Sequence, residues 1–136
     1  MNGPGAALPE PQRPRAQRLK STSMPILVAV RDLLFRSRIL AAAERLGVAV
    51  KAAPRGAPLG EAARDLGGGT ILVDLNEPGV IEQIGAAKAA GGARVVGFLG
   101  HLQRDLMETA AAAGVDEVLT RGQLVQRLDE LLRGSA

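Results

Sequence analysis

The chain has 136 residues and a formal net charge of +3, with no cysteine, tryptophan or tyrosine and only two phenylalanines. That length suits one domain. The missing cysteines exclude a disulfide framework and a thiolate metal site, and no apolar run is long enough to span a bilayer or to form the core of a signal peptide.

A soluble cytoplasmic protein is the expectation. The charge is unevenly placed. Residues 1–23 carry Arg13, Arg15, Arg18 and Lys20 against Glu10, whereas residues 24–136 hold thirteen basic and thirteen acidic side chains. With its charge balanced, the latter stretch has no overall basic field to steer it to phosphate backbones, so nucleic acid contact is expected only weakly, through the tail. Phe35 and Phe98 leave little for base stacking.

Residues 1–23 are rich in Pro, Gly, Ala, Arg and Ser, without periodicity. Such a segment cannot bury enough apolar surface to offset ordering entropy, so it reads as a disordered basic tail ahead of a domain over 24–136. Met24 stands directly before the first apolar run. The tail is therefore either an over-extended start, with Met24 the true one, or a weak, salt-sensitive basic arm.

Ile26 to Val30 is a continuous apolar run of strand length. Leu33 to Leu46 follows as a helix with Leu33, Leu34, Ile39, Leu40, Ala43 and Leu46 inward, stopped by Gly47. Val48 to Ala52 reads as a second strand. Leu59 to Leu66 is a short helix with Leu59, Ala62, Ala63 and Leu66 inward.

The third strand, Thr70 to Asp74, follows Gly67-Gly68-Gly69. Gly79 to Ala90 is a helix with Val80, Ile81, Ile84 and Ala87 inward, broken by Gly91-Gly92. Arg94 to Phe98 is the fourth strand, Leu102 to Ala113 a helix ended by Gly114, and Asp116 to Leu119 the fifth strand. The last helix, Gly122 to Arg133, would place Leu124, Val125, Leu128, Leu131 and Leu132 on one face. Thr120 and Gln123 fit a capping box at its start.

Five strands alternating with five helices over short connections argue for a parallel sheet covered on both faces. Right-handed crossovers favour the order 2-1-3-4-5, a flavodoxin-like (βα)5 three-layer sandwich. Ligands of such sheets gather outside the carboxyl ends of the strands, at the switch point between strands one and three. Arg31 and Asp32 would line it from one side, and Asp74, Leu75 and Asn76 from the other.

The glycine clusters stand between a helix end and the next strand, at the edge opposite the ligand face, and read as helix stops. Neither G-x-G-x-x-G after a strand nor G-x-x-x-x-G-K-[ST] occurs. His101, the single histidine, falls after strand four and reads as a surface or capping residue, with acid–base work the sharper alternative. Asp74 ends an apolar run and opens a Pro/Gly turn. A carboxylate so placed can be a nucleophile, a hard-cation ligand or a cap acceptor.

The segment Ile71-Leu72-Val73-Asp74-Leu75-Asn76-Glu77-Pro78-Gly79 resembles the phosphoacceptor segment of the receiver domains of bacterial two-component response regulators, and the likeness runs from Met24 to Ala136. The resemblance implies that Asp74 holds the phosphoacceptor position. The acidic pair that holds Mg²⁺ in the family falls here on Val30 and Arg31, with Asp32 acidic one place along. Asp32 and Asp74 are the metal ligands if Mg²⁺ is bound at all. The family's Ser/Thr after strand four corresponds to Leu99, and its Lys after strand five to Arg121.

Arg31 is expected to pair with Asp74, occupying its oxygens where a divalent cation would sit. This points to a degenerate, stand-alone module of receiver type that is not an enzyme, needs no cofactor and works independently of phosphorylation. The resemblance implies that its protein partner docks on helix four, strand five and helix five, here through Gln103, Arg104, Glu108, Asp116, Arg121, Gln126, Arg127 and Glu130. Two alternatives stay open. One is a Mg²⁺-dependent aspartyl phosphoacceptor. The other is a small-molecule-binding or enzymatic flavodoxin-like domain using Asp74, Arg31 and His101.

Overall fold

The structure is a computed structural model and describes residues 25–54, 57–100 and 103–133. The elements are β1 (Ile26–Ala29), α1 (Leu33–Leu46), β2 (Val50–Ala52), α2 (Leu59–Leu66), β3 (Thr70–Asp74), α3 (Val80–Gly91), β4 (Arg94–Leu99), α4 (Arg104–Ala113), β5 (Glu117–Thr120) and α5 (Arg121–Leu132). The five strands form one sheet in the order β2-β1-β3-β4-β5, and every neighbouring pair is parallel. The expected flavodoxin-like order is therefore the one observed. The tail over residues 1–23 and His101 lie outside the described residues.

Strand parity divides the core in two. Ile26, Val28, Leu72, Val96, Phe98 and Leu119 pack with Phe35, Ile39, Ala42 and Ala43 of α1 and with Leu124, Leu128, Leu131 and Leu132 of α5. Leu27, Ile71, Val73, Val95 and Leu99 pack on the other face against α2, α3 and α4. Alternate side chains of each strand thus feed opposite layers, as period-2 geometry requires. Among the described residues, no helix is long and apolar enough to cross a membrane.

Helix ends follow the sequence closely. Gly47, Gly67, Gly92 and Gly114 all close helices in the left-handed region, and Thr120 with Gln123 forms the expected capping box of α5. Gly69 has a further role. Its φ is +82°, and a Cβ there would stand 2.1 Å from the Pro25 carbonyl oxygen. The starts of β1 and β3 can meet only over a residue without a side chain.

The expected inward face of α1 needs correction. Leu33 is 61 % and Leu34 86 % exposed, and Val125 of α5 is also turned out. Phe35, Ile39, Ala42 and Ala43 are the buried positions of α1. The buried stripe starts from Phe35 because that ring meets Phe98 across the layer, with centroids 4.9 Å apart.

Candidate functional site

β3 delivers Asp74 to the carboxyl edge of the sheet, beside Phe98 of β4 in register. Asp74 is the one buried charged or polar residue among those described, at 6 % exposure. Its Oδ1 accepts the main-chain N–H of Asn76 at 2.9 Å, closing the turn on itself. The Asn76 side chain then ties this turn to the neighbouring loop. Its Oδ1 accepts the Gly100 N–H and its Nδ2 donates to Gln103 Oε1, both at 2.9 Å.

The cation facing Asp74 is Arg121, the first residue of α5. Its Nη2 lies 3.7 Å from Asp74 Oδ2, and its Nη1 lies 3.3 Å from Asp32 Oδ2. The guanidinium carbon stands 5.0 Å from the Phe35 ring centroid and 5.7 Å from that of Phe98. Both phenylalanines of the chain therefore flank one arginine, a cation–π arrangement that sets the guanidinium between two carboxylates.

Asp32 is held from its other oxygen. Its Oδ1 accepts the N–H groups of Leu34 and Phe35, at 3.1 and 3.2 Å, as the N-cap of α1. The Phe35 N–H is the main reason its pKa lies below the usual carboxylate value; slight desolvation opposes this, and Arg121 adds to the lowering. Glu77 behaves oppositely. Burial pushes its carboxyl up, the Arg31 main-chain N–H opposes that, the charge of Asp74 adds to the rise, and the Arg31 charge works against it.

The expected pairing of Arg31 with Asp74 is not observed. The ion pair to Asp74 among the described residues is the one from Arg121. Register gives the reason. Val28 pairs with Leu72 and Ala29 with Val73, so continuing the ladder sets Val30 opposite Asp74, on the α1/α5 side. Val30 is buried in that layer. Arg31, one residue on, lines a recess with Ala53, Leu59, Glu77 and Val80.

Of the other expected site residues, Asp32, Asn76 and Arg121 do gather around Asp74. Leu99 is fully buried among the apolar residues of the α2/α3/α4 layer. Sequence reasoning missed Phe35 and Phe98 as the platform for Arg121. The usable signal was their scarcity, together with the parity of Phe98 on β4.

This donor set does not suit a divalent cation. Asp32 spends one oxygen on the helix cap and the other on Arg121, while Asp74 divides its oxygens between Asn76 and the same guanidinium. Among the described residues, no three acidic or imidazole side chains converge as a metal site would require.

No family model matches the sequence, and no curated protein matches it. Solved structures do match. The signal receiver domain of a DNA-binding response regulator from Colwellia psychrerythraea is 18 % identical with a TM-score of 0.66, covering 81 % of this chain and 98 % of that one. The receiver domain of a sensor histidine kinase from Pseudomonas aeruginosa, with magnesium in its active-site cleft, is 19 % identical with a TM-score of 0.63, covering 83 % and 99 %. A Burkholderia pseudomallei response regulator with a phosphorylated aspartic acid is 20 % identical with a TM-score of 0.60, covering 84 % and 74 %.

The chain has the receiver-domain fold. Within that fold, Arg121 opens α5 and its guanidinium bridges two carboxylates.

Proposed function

We propose that this chain is a receiver-type signalling module that binds a protein partner in a two-component setting and does so independently of phosphorylation. The observation that carries the reading is Arg121 lodged between Asp32 and Asp74. A phosphoryl group moving onto Asp74 would need positive charge free to follow its oxygens, and a divalent cation normally supplies much of it. Here the resident cation is covalently tethered, stacked on two rings and already paired.

The partner surface is α4, β5 and α5. Two residues expected on it serve elsewhere. Arg121 points into the site, and Asp116 is engaged by Lys88 Nζ at 2.6 Å and by the Val95 N–H at 2.7 Å. Arg104, Glu108, Gln126, Arg127 and Glu130 remain as the polar face, with Gln103 at its edge accepting from Asn76 and Arg127 bound to Glu117 and Glu130. A modest, polar interface in the cytoplasm fits this composition.

The deciding experiment is incubation with acetyl phosphate and Mg²⁺, read by intact mass. The expected result is an unmodified protein. An added phosphoryl mass that vanishes in Asp74→Asn would replace this reading with that of a true phosphoacceptor.

A further inference from the structure

We propose that the recess on the α2/α3 side of the carboxyl edge binds a small oxyanion, a phosphate or carboxylate group, between Arg31 and Arg36. This does not rest on the locked state of Asp74. The recess has a volume of about 100 Å³ and is lined by Ala29, Val30, Ala53, Leu59, Pro78 and Val80, with Arg31, Arg36, Glu77 and Gln83 as its polar groups. That volume falls well below the roughly 300 Å³ at which pockets begin to take drug-sized ligands. It suits a single oxyanion head better than a nucleotide.

The charge arrangement points to an anion. The half-buried Arg36 has no acidic partner within 4.0 Å among the described residues, and the Arg31 guanidinium makes no ion pair there either. Two cations beside apolar walls focus a positive field, because low-dielectric walls screen it poorly. A planar guanidinium then grips a carboxylate or phosphate with two parallel hydrogen bonds.

Among the described residues, Glu77 is the one carboxylate lining the recess, and it accepts the Arg31 main-chain N–H at 3.0 Å. Gln83 is engaged, since its Oε1 accepts the Leu59 N–H at 2.7 Å. Glu77 therefore sits at the Arg31 end as an internal competitor, while Arg36 is left for an incoming anion.

The test is an amide NMR titration of the full chain at low ionic strength, with inorganic phosphate and, separately, succinate. Saturable shifts are expected at Ala57, Gly60 and Val80, weakening as salt is added. The stronger of the two probes identifies which oxyanion the recess prefers. Arg36→Gln should weaken binding about tenfold, as loss of a charge-assisted hydrogen bond implies, with Arg36→Lys intermediate. Glu77→Gln should tighten it several-fold by removing the competitor. Equal affinity in Arg36→Gln, weaker affinity in Glu77→Gln, shifts confined to Asn76 and Gly100, or no saturable shift with either probe would each overturn the proposal. The dispersion of each variant's spectrum confirms its fold.

Discussion

Arg121 and Phe98 are stacked, with the guanidinium carbon 5.7 Å from the ring centroid, and Phe98 is the register partner of Asp74. One aromatic side chain thus aligns the cation and borders the acid it faces. The pair joins the first residue of α5 to the centre of the sheet, so site geometry and helix packing stand or fall together.

Removing the cation should leave Asp74 buried with a single hydrogen-bond donor. Arg121→Ala is expected to cost about 1–3 kcal/mol in urea unfolding, between the values for exposed and fully buried pairs. Asp74→Asn in the Arg121→Ala background should cost less than in the parent, because the unpaired charge is then gone. Equal costs in both backgrounds would show that the two side chains are not coupled.

The platform can be tested without touching a charge. Phe35→Leu removes one of the two rings under Arg121 and the contact with Phe98 while keeping an apolar side chain. A loss of about 1–2 kcal/mol is expected from the ring pair and the cation–π contact together. A cost no larger than that of an ordinary surface substitution would show that the rings do not support the guanidinium.

Glycine positions should separate by close approach. Gly47 and Gly69 both have positive φ, but a Cβ at Gly47 meets open space, whereas one at Gly69 meets the Pro25 carbonyl at 2.1 Å. Gly47→Ala should cost about 1 kcal/mol and Gly69→Ala about 3 kcal/mol or more. Thermal unfolding of the two variants provides the comparison, and similar Tm losses would contradict the crowding argument.

Acid should weaken the fold through the β5 edge. Burial raises the Asp116 carboxyl, but its bonds to Lys88 and the Val95 N–H outweigh that, and its pKa is lowered overall. Glu117 is lowered chiefly by Arg127, with burial opposing and Arg94 assisting. A carboxylate with a depressed folded pKa contributes stability above its unfolded value of about 4, and loses it as pH falls through the folded value. Asp116→Asn should therefore be less stable than the parent at pH 7, and the gap should narrow below about pH 4. Glu77 has the opposite sign, since its raised pKa favours the folded state on protonation. Its contribution is full below the unfolded value and lost as pH rises through the folded one. A gap that stays constant into acid would show that Asp116 is not engaged as described.

Much of the site was legible in the chain itself. Asp74 at the end of an apolar run, Asn76 in the turn after it, and a cation at Arg121 after the fifth strand could be named from spacing and resemblance, and the three do gather. What went wrong was the partner of Asp74. Arg31 is near the acid in strand count, but the register sets Val30 and not Arg31 opposite Asp74, and Arg31 lines the recess instead. The inward face of α1 failed for a related reason. Leu33 and Leu34 are as apolar as any core residue, and only the position of Phe98 selects Phe35 instead.

The amino-acid order alone determined the alternation of strands and helices, the glycine stops, the capping box of α5 and the parallel order of the sheet. These depend on hydrophobic period and local backbone chemistry, which act over a few residues. The tertiary structure decided which guanidinium meets Asp74, which rings carry it, and which arginines line the recess beside α2. Those outcomes depend on parity across strands and on side chains brought together from distant parts of the chain, such as Asp32 and Arg121 at 89 residues' separation. Local propensity has no term for such a meeting, because packing of the two layers settles it.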